Sequence, residues 1–131
     1  MREILLVRFG EVFLKGQNRP FFMKKLMDHI RQAVRPVNGR VWMSEGRFYV
    51  SDFTDMDECI RRVTRVFGVH SVSPAIEMDK DNFEAICEQA ARMMEPLSGT
   101  FKVLARRSDK RYPLDSPAIM REAGGYILDH V

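Results

Sequence analysis

The stretch RVWMSEGRFYVSDF, from Arg40 to Phe53, decides the fold. Two short runs rich in β-branched and aromatic residues, RVWMS and RFYVSDF, are separated by Glu45 and Gly46. A glycine-containing pair between two such runs is typical of a tight turn that joins antiparallel strands. The sequence therefore predicts a β-hairpin here, and the neighbouring segments must be fitted around it.

A helix is predicted before this hairpin. Asn18 is a good N-cap, and Pro20 falls in the first turn, where its missing N–H costs nothing. Apolar residues then recur at helical spacing to about Arg35, and Pro36 ends the pattern.

A second helix is predicted after the hairpin. Asp55 is followed three positions later by Glu58, the pattern of a capping box, and Gly68 is a typical C-terminal stop. The expected apolar face of this helix consists of Met56, Cys59, Ile60, Val63 and Phe67.

Two further strands complete the pattern. EILLVRF, from Glu3 to Phe9, is apolar enough for a buried strand, and VHSVSPAI, from Val69 to Ile76, contains Pro74, which favours an edge position or a bulge. The order is β-α-β-β-α-β, which predicts an α+β, ferredoxin-like sandwich over residues 1–76 with both helices on one face of the sheet.

The remaining residues, 77–131, follow a different pattern. A helix is predicted from Asn82 to Met94, then a strand TFKVLARR from Thr100, then a helix that opens at Ser116-Pro117 and reaches Val131. Because one strand between two helices cannot form a sheet, we expect the chain to be cut within a second domain. The unpaired strand and the apolar helix face of Ile119, Ala123 and Ile127 are then expected to give either strand or helix exchange between two chains, and so a homodimer, or local disorder in solution.

The composition excludes several classes of protein. No apolar run approaches the length of a membrane span, and MREILLVRFGE carries charge too early for a signal peptide. Cys59 and Cys87 lie far apart on predicted helices without further ligands at zinc spacing, which favours reduced thiols and a cytoplasmic chain. No nucleophile–base arrangement, paired carboxylates or phosphate-loop motif is present, so the sequence predicts no catalytic residues, no metal site and no cofactor for this chain.

Two groups of cations are the candidate functional residues. Lys15 and Arg19 flank a predicted helix N-terminus, which attracts anions. The second group is denser and includes an aromatic side chain that could stack on a base; it comprises Arg106, Arg107, Lys110, Arg111 and Tyr112. The net charge is only +3, and runs of charge are usually solvated surfaces, so the clustering alone leaves both a solvated surface and an anionic partner open.

Gly124 and Gly125 interrupt the last predicted helix. Each costs about 1 kcal/mol relative to alanine in a helix interior, so a missing side chain must be required there. Close packing on a neighbouring helix and close approach by a ligand are both open explanations.

These segments resemble a known family. RFGEVFLKGQNRPFF near the N-terminus and RRSDKRYPLDS with REAGGYIL near the C-terminus are similar to the start of the tRNA 4-thiouridine synthetases, the ThiI-type tRNA sulfurtransferases. In that family a ferredoxin-like domain precedes a THUMP domain, an RNA-binding module of several tRNA-modifying enzymes. Ala118 departs from the pattern, since an acidic residue is expected after Ser-Pro.

The resemblance implies a function for the parent enzyme: adenylylation of a tRNA uridine with ATP and Mg²⁺, then transfer of sulfur delivered by a cysteine desulfurase. That chemistry belongs to a later domain, so this chain would be the part that docks the tRNA acceptor region. The alternatives are the RNA-binding part of another THUMP enzyme, such as a methyltransferase or pseudouridine synthase, and a ferredoxin-like regulatory module that binds a small metabolite. The tRNA species, a rhodanese domain and a role in thiamine biosynthesis are not decided by these residues.

Overall fold

The computed structural model describes residues 1–10, 19–107 and 109–131. Its chain forms two compact units, Met1–Met78 and Asp79–Val131. The predicted helix cap at Asn18 and the candidate Lys15 lie outside the described residues.

Outside residues 11–18, the first unit is a four-stranded antiparallel sheet with two helices. The elements are β1 (Arg2–Phe9), α1 (Arg19–Val34), a short 3-10 turn (Arg35–Val37), β2 (Arg40–Ser44), β3 (Arg47–Ser51), α2 (Met56–Thr64) and β4 (Val69–Glu77). The strand order is β2-β3-β1-β4, and every neighbouring pair is antiparallel. The predicted βαββαβ order is confirmed.

Both helices pack on one face of this sheet. Leu5 pairs with Val50 and Val7 with Phe48 in the register of β1 and β3, and all four side chains are buried. Because side chains alternate between the two faces of a strand, these residues define the covered face. The buried residues of α1 and α2 belong to the same cluster: Leu26, Ile30, Val34, Cys59 and Val63.

The hairpin turn and the edge position of β4 agree with the predictions from the sequence. Glu45 and Gly46 both have positive φ, at 53° and 76°, as a type I′ turn requires. Pro74 lies in β4, which is at the edge of the sheet, where a residue without an N–H is tolerated.

Two details of the α2 prediction are wrong. Asp55 caps the helix by accepting from the backbone N–H groups of Asp57 and Glu58, but the Glu58 carboxylate does not complete the capping box. It accepts instead from Arg62 Nε at 2.8 Å and pairs with Arg61. Phe67 is 85% exposed, because α2 ends at Thr64 and the helical periodicity does not extend to it.

Over its described residues, the second unit contains two helices. They are α3 (Phe83–Met94), capped by Asn82, and α4 (Ser116–His130), capped by Asp115. Their buried residues are Cys87 and Ala91 on α3 and Ala123 and Ile127 on α4.

The predicted strand from Thr100 to Arg107 is wrong. Residues 100–107 have no regular secondary structure, because a strand is defined by its ladder of hydrogen bonds and no described segment pairs with this one. Within the described ranges, no helix is long and apolar enough to cross a lipid bilayer.

Candidate nucleic-acid interface

The basic loop, described over residues 106–107 and 109–112, precedes α4 and contains three internal hydrogen bonds. Arg107 Nη1 donates to the Tyr112 carbonyl oxygen at 3.2 Å. The backbone N–H of Arg111 donates to Asp109 Oδ1 at 3.0 Å, and that of Tyr112 donates to the Asp109 carbonyl oxygen at 3.1 Å. Such a turn, in which an Asp side chain bonds backbone two residues on, fixes the local path of the chain.

Asp109 also connects the basic loop to the segment before α3. Its Oδ2 accepts from Lys80 Nζ at 2.7 Å, and its Oδ1 accepts from Arg111 Nε at 3.2 Å. Hydrogen bonds from Lys80 and Arg111 to the ionised form hold the pKa of the Asp109 carboxyl well below its ordinary value. One carboxylate thus orders two cations.

A pocket of about 210 Å³ lies beside the basic loop. Its wall combines apolar and cationic side chains: Lys80, Phe83, Ile86, Arg106, Arg107, Asp109, Tyr112 and Ile119. The structure therefore brings together three predicted residues, Arg106, Arg107 and Tyr112. Lys110 and Arg111 are in the same loop and are exposed to solvent.

Sequence reasoning missed Lys80 and Asp109. Lys80 lies 29 residues before Asp109, and no local pattern connects them. Asp109 did carry a signal, since a single carboxylate within a run of cations is placed to pair with them.

An acidic residue is present at the start of α4 in spite of Ala118. Asp115 Oδ1 accepts from the Ala118 backbone N–H at 2.9 Å, so the cap supplies the negative charge that favours a helix N-terminus. The departure at Ala118 leaves the polarity of this helix start intact.

The paired glycines of α4 are not crowded by the described residues. A Cβ added at Gly124 would lie 3.8 Å from Val103 Cγ2, an ordinary contact, and one added at Gly125 would meet no atom within 4 Å. Within the part of the chain that the structure describes, packing on a neighbouring helix does not account for them. Close approach by a ligand stays a prediction.

Arg19 is the first residue of α1 and is exposed. It lines a groove of about 520 Å³ together with Lys24 and several apolar residues: Pro20, Met23, Met27, Met43, Gly46 and Phe48. Its predicted partner Lys15 lies outside the described residues, so Arg19 is the one member of this first group whose position the structure gives.

The two cysteines are poor nucleophiles. Cys59 is fully buried, and burial raises the pKa of its thiol to about 11. Burial also raises the pKa of Cys87, with smaller contributions from Glu122 and Glu84. Among the described side chains, no three His, Cys, Asp or Glu residues are grouped as metal ligands.

Comparison with known families assigns both units. The chain matches the ThiI ferredoxin-like domain over residues 4–73 and the THUMP domain over residues 80–131. It therefore belongs to the ThiI family and carries the ferredoxin-like and THUMP regions of that family in order.

Individual relatives point to one kind of enzyme. The chain is 42% identical to the probable tRNA sulfurtransferase of Acetivibrio thermocellus, over 100% of this chain and 36% of that protein. It is similar to the crystal structure of a 4-thiouridine synthetase–RNA complex with bound ATP (TM-score 0.79, 26% identity, 100% of this chain and 34% of that one). It is also similar to the crystal structure of PH1313 from Pyrococcus horikoshii (TM-score 0.77, 32% identity, 97% and 44%). The chain thus spans about a third of the length of the curated relatives that it matches.

Proposed function

We propose that this chain binds tRNA, as the docking region of a ThiI-type tRNA sulfurtransferase. The observation that carries the proposal is the basic loop, in which Asp109 fixes a turn that presents cations beside a partly apolar pocket. The similar 4-thiouridine synthetase was crystallised with RNA, which supports the same ligand class.

Duplex RNA is recognised mainly through its shape. Its base edges lie in a deep, narrow groove, so a docking module contacts phosphates and 2′-hydroxyls. Arg106, Lys110 and Arg111 are exposed and can reach phosphates, while Tyr112, beside the pocket, can stack on an unpaired base. Arg19 and Lys15 would add contacts from the first unit.

The chemistry of the whole enzyme is a broader proposal. The parent protein would activate a tRNA uridine with ATP and Mg²⁺ and accept sulfur from a cysteine desulfurase in the cytoplasm. This chain alone would form no 4-thiouridine. An assay with ATP, tRNA and a sulfur donor, using the isolated chain, tests that statement, and turnover by this chain would contradict it.

Self-association is a separate part of the proposal. The expected apolar face of α4 is not free, because Ala123 and Ile127 are buried within the second unit. Leu128 is 70% exposed on the same helix, and we expect α4 to favour a homodimer through it. Sedimentation of the chain over a range of concentrations tests this directly, and a monomer at every concentration would contradict it.

The RNA-binding proposal is tested by neutralising Arg106 and Lys110 to glutamine. Both side chains are exposed and take no part in the hydrogen bonds that hold the basic loop. Losing two phosphate contacts should lower the slope of log K against log salt by roughly 1.4 to 1.8, and weaken tRNA binding about tenfold. The effect should be the same for different tRNAs, because phosphate contacts carry no sequence information.

The control variant neutralises Arg61 and Arg62, which pair with Glu58 on α2. It changes the net charge by the same amount in a place where no RNA contact is proposed. If the two double variants bind tRNA with equal affinity and equal salt slopes, the basic loop is not a binding surface.

A further inference from the structure

The first unit has a second surface with features typical of nucleic-acid binding, on the sheet face opposite the helices. Trp42 of β2 and Tyr49 of β3 are directly paired across the strands. Their rings are stacked, with centroids 5.5 Å apart and an interplanar angle of 18°. Both side chains remain partly exposed.

Arg2 contacts this aromatic pair through Trp42. Its guanidinium lies 5.2 Å from the centre of the Trp42 ring and is also paired with Glu77, with Nε 2.6 Å from Oε1. A cation over an indole is attracted by the ring face. The two stacked rings and the guanidinium thus form one continuous surface.

A cationic groove of about 640 Å³ begins at Trp42. Its wall is formed by the end of α1, the following turn and the start of β2: Arg31, Arg35, Asn38, Gly39, Arg40, Val41 and Trp42. Three arginines thus face one groove. The nearest carboxylate described for any of them is Asp28, 3.8 Å from Arg31, so most of this positive charge is available to a ligand.

The position of α1 accounts for only part of this cluster. Cations near a helix C-terminus complement the helix dipole, which is sufficient for Arg31 and Arg35. It does not explain Arg40, which is in β2 and lies on the same sheet face as Trp42 because strand residues alternate. An arginine and a tryptophan that share a sheet face next to a basic groove suit a ligand with both phosphates and rings.

We propose that this surface, the Arg31–Arg35–Arg40 groove with the Trp42–Tyr49 platform, binds a short unpaired stretch of RNA. The arginines would contact successive phosphates and a base would stack on the aromatic pair. Four-stranded sheets with two helices on one face can bind single-stranded RNA in this way, through aromatic side chains on the open face. The inference rests on the proposed RNA binding of the chain, but it uses residues separate from the basic loop.

The experiment uses Trp42, since it is the single tryptophan of the chain. The probe is an unstructured oligouridylate of about eight nucleotides, within the usual range of single-strand sites. Titration should quench Trp42 fluorescence to saturation, and the quenching should weaken with salt. The proposal would be overturned if the anisotropy of labelled oligouridylate shows binding while the Trp42 fluorescence stays unchanged. Equal quenching by inorganic phosphate at the same phosphate concentration would also overturn it.

Variants identify the residues. Replacing Arg35 and Arg40 together by glutamine should weaken oligouridylate binding about tenfold and lower the salt slope by roughly 1.4. The affinity for oligouridylate of the two Trp42 variants is measured by the fluorescence anisotropy of labelled RNA. Trp42→Phe should bind with an affinity within about threefold of the parent chain, and Trp42→Ala about tenfold more weakly. If the Arg35/Arg40 variant binds as well as the Arg61/Arg62 control, the groove is not the site.

The basic-loop variant separates the two proposals. Arg106→Gln with Lys110→Gln should leave the quenching of Trp42 by oligouridylate unchanged. Quenching that depends on Arg35 and Arg40 supports this site even where the tRNA test of the basic loop fails. If the basic-loop variant loses tRNA affinity but oligouridylate does not quench Trp42 in the parent chain, the groove and platform are not a binding site. The proposal for the basic loop then still stands.

Discussion

Lys80 Nζ lies 2.7 Å from Asp109 Oδ2, and this ion pair joins the segment before α3 to the basic loop. Asp109 pairs with Arg111 as well, at 3.2 Å. Two cations on one carboxylate favour its ionised form and lower its pKa.

The first prediction concerns the titration of this carboxyl. Because its pKa is lowered in the folded chain, Asp109 should stay ionised as the pH falls through the range where an ordinary aspartate is protonated. The pair then stabilises the fold above that range and is lost only at lower pH. Carbon-13 NMR of the side chain measures the pKa directly. Lys80→Met should raise it, and an unchanged value in that variant would contradict the role of Lys80.

A second prediction uses the charge of Asp109. In an Asp109→Asn variant the amide oxygen can still accept from the Arg111 backbone N–H, so the turn should persist while a negative charge close to the RNA is removed. Because water screens a charge at the protein surface, its repulsion of the RNA is weak, and tRNA binding should tighten only about twofold at low salt. Asp109→Ala, which also removes the turn, should bind more weakly than the Asp109→Asn variant. Equal affinities for the two variants would show that the turn does not matter.

The α4 glycines give a third prediction. Alanine at Gly124 and Gly125 meets no steric obstacle in the described residues, so each substitution should raise the free energy of unfolding by about 0.5–1 kcal/mol. If RNA approaches the helix at this point, the same variant should bind tRNA more weakly despite being more stable. Urea denaturation and a binding titration on one sample measure both effects. Greater stability with unchanged affinity would show that no ligand approaches there.

The fourth prediction concerns thiol reactivity. With its pKa raised to about 11, the Cys59 thiol has little thiolate near pH 8, and the thiolate is the reactive form. Iodoacetamide should therefore label neither Cys59 nor Cys87 in the folded chain and both after denaturation, as mass spectrometry can show. Since folding favours the protonated thiol, the contribution of Cys59 to the free energy of unfolding should be constant below about pH 9 and decline as the pH rises further. Rapid labelling of the folded chain would contradict both expectations.

A fifth prediction tests the packing of the first unit. A Cβ added at Gly39 would lie 2.7 Å from Val34 Cβ and 3.0 Å from Val50 Cγ1, both on buried side chains. Gly39→Ala should therefore lower the free energy of unfolding by about 1–3 kcal/mol. Leu104→Ala is the control, because Leu104 is 78% exposed and should change the free energy by less than about 0.5 kcal/mol. A neutral Gly39→Ala variant would mean that Val34 can move aside.

The sequence predicted the first unit because its boundaries are marked by local chemistry. The turn at Glu45-Gly46, the cap at Asp55 and the proline in β4 each act within a few residues. Phe67 was misassigned because helical spacing alone does not show that α2 ends at Thr64.

What could not be predicted depends on residues distant in the chain. Residues 100–107 have strand-like composition, but a strand needs a pairing partner that local composition does not supply. The candidate site shows the same limit. The cations of the basic loop form a cluster in the sequence, whereas Lys80 joins them only through its hydrogen bond to Asp109, 29 residues later. The Trp42–Tyr49 platform likewise depends on the register of β2 and β3.

Pro74 has a consequence for how the chain behaves at high concentration. β4 is one of the two edges of the sheet, and an edge strand is a template for addition of further strands, which leads to aggregation. A proline cannot donate to an incoming backbone, so the β4 edge is a poor template at this position. The opposite edge, β2, begins with exposed Arg40, whose charge repels an identical strand in the same position. Crowding of many copies along one RNA molecule should therefore not lead the sheets to join into fibres.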